Sequence, residues 1–224
     1  HLQGKTVMIT AGPTREAIDP VRYISNHSSG KQGYALALAA IEAGARVTLI
    51  SGPTNINAPD RATVVAVQSA DEMLEAVMSS IRDADIFIGV AAVADYKPVS
   101  ALNQKIKKSG GSALTLNLVQ NQDILKTVAN LENRPFTVGF AAETENVIEN
   151  ARTKLTAKNL DMIIANNVAD TSIGFNSDHN ETTIITRTIT GTITGTTEAQ
   201  QPKMSKENLS RKLIELIAEQ IAEA

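Results

Sequence analysis

The strongest constraint on this chain is an alternation between two kinds of apolar pattern. Short continuous runs rich in β-branched residues are separated by stretches whose apolar residues fall at helical spacing. Thr6-Val7-Met8-Ile9-Thr10 opens the series and stops at Ala11-Gly12-Pro13. Arg46 to Ile50 stops at Ser51-Gly52-Pro53, and Thr63 to Val67 and Ile86 to Val90 follow. Between them, Tyr34 to Ala43 closes at Gly44 and reads as a helix. Asp71 to Arg82 does too, with Met73, Leu74, Val77, Met78 and Ile81 in one stripe and Ser69 or Asp71 as its cap. Strands that are apolar throughout are buried on both faces, and helices between them make the strands parallel. The expected fold is α/β: a Rossmann-like, mainly parallel sheet with helices on both faces.

The second half is less regular. Leu114 to Val119 alternates as a strand, Ile124 to Leu131 reads as a short helix, and Phe136 to Ala141 and Met162 to Asn166 extend the sheet. Val147 to Lys158 is amphipathic, with Lys154 and Lys158 one turn apart. The Thr- and Ile-rich stretches Thr182 to Ile185 and Thr188 to Thr194 predict a small antiparallel extension, and Lys206 to Ala222 predicts a closing helix. With no repeat, linker or low-complexity tract, residues 1–224 are expected to form one domain.

Composition narrows the function. A net charge of −3 argues against general nucleic-acid binding, which needs a basic face. No apolar stretch approaches the roughly eighteen residues of a membrane span, and no signal peptide precedes the first strand, so the cytoplasm is the expected location. The absence of cysteine excludes disulfides, a thiol nucleophile and thiolate metal sites. His1, His27 and His179 are too scattered for a zinc cluster. No protein-built metal site is expected, and a bound metal would be Mg²⁺ riding on substrate phosphates.

Ligands of open α/β sheets collect outside the carboxyl ends of the strands. Gly12-Pro13-Thr14-Arg15, Gly89 to Asp95, Phe140-Ala141-Ala142-Glu143 and Asn166 all lie there. Ser25-Asn26-His27-Ser28-Ser29-Gly30-Lys31-Gln32-Gly33 joins a small, hydroxyl-rich turn to a helix start, which suits either a phosphate or a plain helix cap. It is not a P-loop, which needs glycine at Ser25 and a hydroxyl residue at Gln32. Ser28, Gly30 and Gly33 give a dinucleotide fingerprint with its first glycine replaced, about twenty residues after the strand rather than immediately. Lys105-Ile106-Lys107-Lys108 beside Ser109-Gly110-Gly111-Ser112 suits a movable cationic flap over polyphosphate, or a solvated loop.

Gly12-Pro13-Thr14-Arg15-Glu16, Asp19 to Lys31, Ala91 to Tyr96, Lys105 to Lys108 and Gly139 to Thr144, in that order, closely resemble the bacterial phosphopantothenoylcysteine synthetases. These are usually the C-terminal half of a bifunctional coenzyme A biosynthesis protein, so the resemblance implies a decarboxylase domain upstream. The flavin would belong to that absent half. The implied reaction joins 4′-phosphopantothenate to cysteine through an acyl-cytidylate, using Mg²⁺ and CTP. The resemblance assigns Asn26 to the acyl-cytidylate and Lys105 to charge at the α-phosphorus. Nucleotide contacts would come from Gly12, Ser28, Gly30, Gly33, Gly89, Val90, Ala91, Asp95, Lys105, Gln122, Asp123, Ile124, Leu125, Phe140, Lys154, Lys158 and Asn166. Asn26, Ala91, Ala92 and Asp95 would touch phosphopantothenate, and Arg22 would reach its phosphate from the other subunit of a homodimer.

Two positions depart from the pattern: Gln122 stands where relatives often carry proline, and Asn167 where aspartate often follows Asn166. CTP preference rests on bacterial-type motifs, since eukaryotic relatives favour ATP. An NAD(P)-dependent oxidoreductase is the competing reading, weakened by Ser51-Gly52-Pro53 where an acidic ribose partner belongs. A non-catalytic phosphate-binding module is the third, and it would not need the lysine flap.

Overall fold

Six parallel strands carry the fold, in the arrangement that the alternation predicts. The computed structural model describes residues 1–107, 113–167, 177–190 and 193–223. Its first half contains β1 (Thr6–Ala11), a ribbon of β2 (Glu16–Ala17) and β3 (Tyr23–Ile24), α1 (Lys31–Glu42), β4 (Arg46–Ser51), β5 (Ala62–Ala66), α2 (Ala70–Ser80) and β6 (Ile86–Gly89). A second ribbon, β7 (Tyr96–Pro98) with β8 (Leu118–Gln120), leads to α3 (Ile124–Ala129), β9 (Phe136–Glu143), α4 (Val147–Ala157) and β10 (Met162–Asn167). The chain then forms β11 (His179–Thr190), β12 (Ile193–Ser205) and α5 (Lys206–Glu223).

The main sheet has eight strands in the order β12-β11-β10-β9-β6-β1-β4-β5. From β5 to β10 every neighbouring pair is parallel, while β11 and β12 pair antiparallel at the edge. Taken in chain order, the six parallel strands lie 3-2-1-4-5-6, and the order reverses between β1 and β6. That reversal opens a crevice outside the carboxyl ends of β1 and β6, where such sheets bind ligands.

Alternate residues of the strands feed three apolar clusters, one of them packing Ile163 and Ala141 against Leu155 of α4. Val7, Ile9, Leu49 and Ile88 face α1 and α5, where Leu36, Ala37, Leu209, Leu213 and Ile217 are buried. Met8, Ile50 and Phe87 face α2 and α3 through Met73, Val77, Ile124 and Val128. The aliphatic core follows from the scarcity of aromatics, and each full burial contributes about 1.5–3 kcal/mol. Ser69 caps α2 by accepting the Glu72 N–H at 3.2 Å, and Glu72 accepts the Gln68 N–H at 2.7 Å, close to a capping box.

Three boundaries differ from expectation, each for a physical reason. The first helix begins at Lys31, not Tyr34, because Gly30 (φ 82°) takes the left-handed cap conformation and the polar Lys31 and Gln32 fill the first turn. Leu114 to Val119 forms a strand only from Leu118, and its alternating leucines are exposed instead of facing a core. Thr182 to Ile185 and Thr188 to Thr190 lie in one strand, β11, while Ile193 and Thr194 open β12, so pairing between the two strands extends well beyond the Thr-rich runs.

Candidate functional site

A cavity of about 450 Å³ lies at the crevice between β1 and β6. Past the strand ends the two segments stay zipped together: Ala92 N–H donates to Gly12 O at 2.9 Å, and Thr14 N–H to Ala92 O at 3.2 Å. Thr14 Oγ1 accepts the Ala94 N–H at 2.9 Å, so the segment leading to Asp95 is fixed by β1's own continuation. Asn26 joins this frame from the long loop. Its Nδ2 donates to Ala92 O at 2.5 Å while its Oδ1 accepts the Ser28 N–H at 3.0 Å. One Nδ2 hydrogen remains for a ligand.

The loop then delivers α1. Ser28 and Ser29 hydroxyls accept the Gly30 and Lys31 N–H groups at 3.3 and 3.5 Å, long contacts that an anion can supplant. Gly33 lets α1 lie against β1, because a Cβ there would sit 2.5 Å from the Ala11 Cβ. The second glycine of the loop, Gly33, therefore serves close helix–strand packing.

Most of the expected site residues meet around this cavity. Gly12, Asn26, Ser28, Gly30 and Gly33 line one wall, and Gly89, Val90, Ala91, Ala92 and Asp95 the strand end opposite. Gln122, Asp123, Ile124 and Leu125 come from the start of α3, with Phe140, Lys158 and Asn166 completing the wall. Asp123 caps α3 through the Lys126 N–H at 2.9 Å and pairs with Lys158 at 2.8 Å. Glutamine at position 122 is compatible with this cap.

Three expected residues stand outside the cavity lining. Lys154 pairs with Glu143 at 2.5 Å on the flank of α4. Lys105 is exposed, and residues 108–112 of the flap lie outside the described residues. Arg22 is held by Asp19, its Nε at 3.0 Å from Oδ2, and its guanidinium donates to Ile106 O at 2.8 Å. Burial works against the Asp19 charge, yet the N–H groups of Ile106, Val21 and Arg22 and the Arg22 guanidinium together hold its carboxyl down to about 2. Arg22 and the root of the flap are thereby fastened to one anchored carboxylate.

Other lining residues escaped the sequence reading. Asn121 donates from Nδ2 to Ala94 O at 2.8 Å, and its buried Oδ1 has no hydrogen-bond partner among the described residues. Asn180 and Lys206 come from the β11–α5 side and become neighbours of the loop only through the fold. Among the described residues no group of His, Cys, Asp or Glu could hold a metal ion by itself. At the end of β4, where a dinucleotide ribose would take a carboxylate, stands Ser51, bonded to Tyr34 (hydroxyl oxygens 2.9 Å apart). No helix among the described residues is long and apolar enough to cross a membrane.

Comparison with known proteins places the chain in a family. The coenzyme A biosynthesis bifunctional protein CoaBC of Vibrio cholerae is 52% identical over 224 residues, covering 98% of this chain and 54% of that protein. Its counterpart in Vibrio vulnificus is 55% identical over 185 residues, covering 82% of this chain and 46% of that protein. The chain thus spans about half the length of these relatives. A crystal structure of the C-terminal domain of a CoaBC protein superposes with a TM-score of 0.83 at 38% identity, covering 100% of this chain and 98% of that one. Residues 2–221 match the profile of the DNA/pantothenate metabolism flavoprotein C-terminal domain, and the chain belongs to that family.

Proposed function

We propose that this chain is a phosphopantothenate–cysteine ligase acting in coenzyme A biosynthesis, with CTP as its activating nucleotide. The observation that carries the reading is the cavity at the β1–β6 crevice, which gathers loop, strand-end and α3 residues around one frame fixed by Asn26 and Ala92. A carboxylate oxygen of 4′-phosphopantothenate attacks the α-phosphorus of CTP, and pyrophosphate leaves. The cysteine amine then attacks the acyl carbon of the acyl-cytidylate, and CMP leaves as the amide forms. Activation is needed because a free carboxylate is a poor acyl donor.

The residues divide the work. Gly89, Val90, Ala91 and Ala92 allow close approach of both substrates to the backbone, and Asp95 accepts hydrogen bonds from their hydroxyl or amide groups. Asn26 presents its remaining amide hydrogen to the carbonyl that becomes an oxyanion. Gly12, Ser28, Gly30, Gly33, Phe140 and Asn166 surround the nucleotide with the start of α3, Lys158 and, on the flank, Lys154. The Oδ1 of Asn121, unpartnered among the described residues, suits the exocyclic amine of cytosine, which uracil lacks. Lys105, on the flap, meets charge building at the α-phosphorus. Mg²⁺ arrives with CTP and offsets triphosphate charge.

Assembly as a homodimer with a composite site is part of the same proposal. The ribbons β2–β3 and β7–β8 lie side by side and expose Tyr23, Tyr96, Val99, Leu114, Leu116 and Leu118. Exposed apolar side chains gathered on and beside these ribbons suit a protein contact. Arg22 sits on that ribbon side and would reach the phosphate bound by the partner subunit. In the full-length protein a flavin-dependent decarboxylase domain precedes this one, and residues 1–224 act as a single ligase domain in the cytoplasm, without nucleic acid or membrane.

The test is product formation from purified components. Phosphopantothenoylcysteine, CMP and pyrophosphate should appear in equal amounts only when CTP, Mg²⁺, 4′-phosphopantothenate and cysteine are all present. Hydride transfer to or from a nicotinamide cofactor, without nucleotide cleavage, would favour the oxidoreductase reading instead.

A further inference from the structure

Two glycines of the cavity wall share one neighbour that stands outside it. Gly12 and Gly30 both line the cavity, and both have positive φ, 73° and 82°. Where each lacks a side chain, the methyl group of Thr54 takes the space. A Cβ on Gly30 would lie 2.7 Å from Thr54 Cγ2, and one on Gly12 would lie 2.9 Å from the same atom. Thr54 belongs to the turn that follows β4 and is not part of the cavity lining. That turn is seated on the exit of β1. Gly52 N–H donates to Ala11 O at 2.9 Å, and a Cβ on Gly52 would fall 1.9 Å from Pro13 O.

Three hydroxyl groups hold the Thr54 methyl in place. Ser51 Oγ donates its one hydrogen to Gly52 O at 2.8 Å, so tyrosine is the donor in the 2.9 Å bond between Tyr34 and Ser51. Thr54 Oγ1 in turn donates to the Tyr34 hydroxyl oxygen at 3.0 Å. The chain therefore runs one way, from Thr54 through Tyr34 and Ser51 to the Gly52 carbonyl. Because threonine is β-branched, fixing its hydroxyl also fixes where its methyl points. Tyr34 also ties the cluster to the helix start: its N–H donates to Gly30 O at 3.2 Å, the first hydrogen bond of α1. From the side of the loop itself, the Ser28 and Ser29 contacts to the Gly30 and Lys31 N–H groups are long, 3.3 and 3.5 Å, and restrain the turn only weakly.

We propose that Thr54 is a positioning residue, whose methyl group sets how far the Gly30 turn projects into the cavity and so how well the nucleotide fits against it. The identity of the nucleotide as CTP rests on the ligase reading. Thr54 acts from behind the wall: it touches no substrate, and its effect passes through Gly30 and Gly12. The Asn26–Ala92 frame is fastened separately, by the bond from Asn26 Nδ2 to Ala92 O, so 4′-phosphopantothenate should be indifferent to Thr54.

Calorimetric binding of CTP and 4′-phosphopantothenate, with amide exchange of the ligand-free proteins, tests this role. Thr54→Ser keeps the hydroxyl and loses the methyl. It should weaken CTP by about threefold to tenfold, leave 4′-phosphopantothenate within about twofold, and speed exchange of the Tyr34 amide by about fivefold or more. Thr54→Val keeps a methyl against the glycines and should hold CTP within about twofold of the parent. Gly30→Ala should weaken CTP by about tenfold or more, and adding Thr54→Ser should recover about threefold or more of that loss. The new Cβ then fills the space of the lost methyl, since its next neighbour, Gly12 Cα, is 3.4 Å away. Gly12→Ala should not be rescued by Thr54→Ser, because Gly52 O stands 3.0 Å from that Cβ. If Gly30→Ala does not fold, the contrast between Thr54→Ser and Thr54→Val decides. Equal losses of CTP and 4′-phosphopantothenate in Thr54→Ser, or single losses that simply multiply in the Gly30→Ala double variant, overturn the proposal. If the parent binds no CTP, the ligase reading fails and the exchange rates decide: a faster Tyr34 amide in Thr54→Ser alone upholds the positioning role, and an unchanged one overturns it.

Discussion

Asn26 donates its side-chain N–H to the carbonyl of Ala92, so the loop that follows β1 is fastened to the segment that follows β6. This bond spans the point where the strand order reverses, and it fixes the amide's orientation before any substrate arrives. Asn26→Asp puts a carboxylate oxygen against that carbonyl and removes the amide hydrogen left for the substrate. We expect the second half-reaction to slow by about 10²–10³, with the acyl-cytidylate accumulating after cysteine is added. Quenched-flow mass spectrometry reads this directly. Failure of the first half-reaction, with no trapped intermediate, would show that Asn26 acts earlier.

Asp19 ties Arg22 and Ile106 to one carboxylate, and this linkage should be visible in acid. Its folded pKa, about 2, lies below the ordinary carboxylate value. The stability it contributes is therefore fully present above about pH 4 and is lost as pH falls from about 4 toward 2. Asp19→Asn should remove that part of the acid sensitivity, flattening the parent's stability loss across this window in urea titrations. An unchanged slope would mean that other carboxylates govern acid unfolding.

Gly33 tests the closeness of α1 to β1. Gly33→Ala places a Cβ 2.5 Å from that of Ala11, and neither backbone can yield easily. The substitution should cost about 1–3 kcal/mol of stability and weaken CTP binding, because the loop ahead of α1 must shift. Denaturation midpoint and CTP affinity check both effects. Full stability would imply that the helix start has room to move.

Much of this was legible in the sequence, and the omissions share a cause. Five of the six parallel strands announce themselves because burial demands unbroken apolar runs, as in Val7 to Ile9 and Ile86 to Ile88. β5 carries the same kind of run at the sheet edge and leaves Val64 and Val65 exposed, not buried on both faces. The crevice residues Gly12, Gly89 and Asp95 follow from the rule that ligands gather at strand ends. Lys206 and Asn180 did not stand out, because a lysine beginning a helix and an asparagine in a strand look ordinary until the fold brings them to the Ser28–Gly33 loop. The strand expected over Leu114 to Val119 begins only at Leu118 for a related reason. Its alternating leucines imitate a strand facing a core, but they face outward.

Arg22 bears on assembly. Arg22→Ala and Asn26→Asp proteins, each nearly inactive alone, should recover activity when mixed under conditions that exchange subunits. One site of a mixed dimer then carries both lesions and the other neither, so recovery should approach half the parental rate per mixed dimer. If mixed dimers form by native mass spectrometry and no activity returns, Arg22 serves its own subunit's site.

The central claim is that the carboxylate of 4′-phosphopantothenate is activated by transfer of the cytidylyl group. Substrate carrying ¹⁸O in both carboxylate oxygens distinguishes this from every other route. Attack on the α-phosphorus, followed by displacement by the cysteine amine, leaves one labelled oxygen in the phosphate of CMP and none in pyrophosphate. Mass spectrometry of the two products should find that distribution at every turnover. Product formation with unlabelled CMP, or with the label in a phosphate released from the β- or γ-position, would contradict the account.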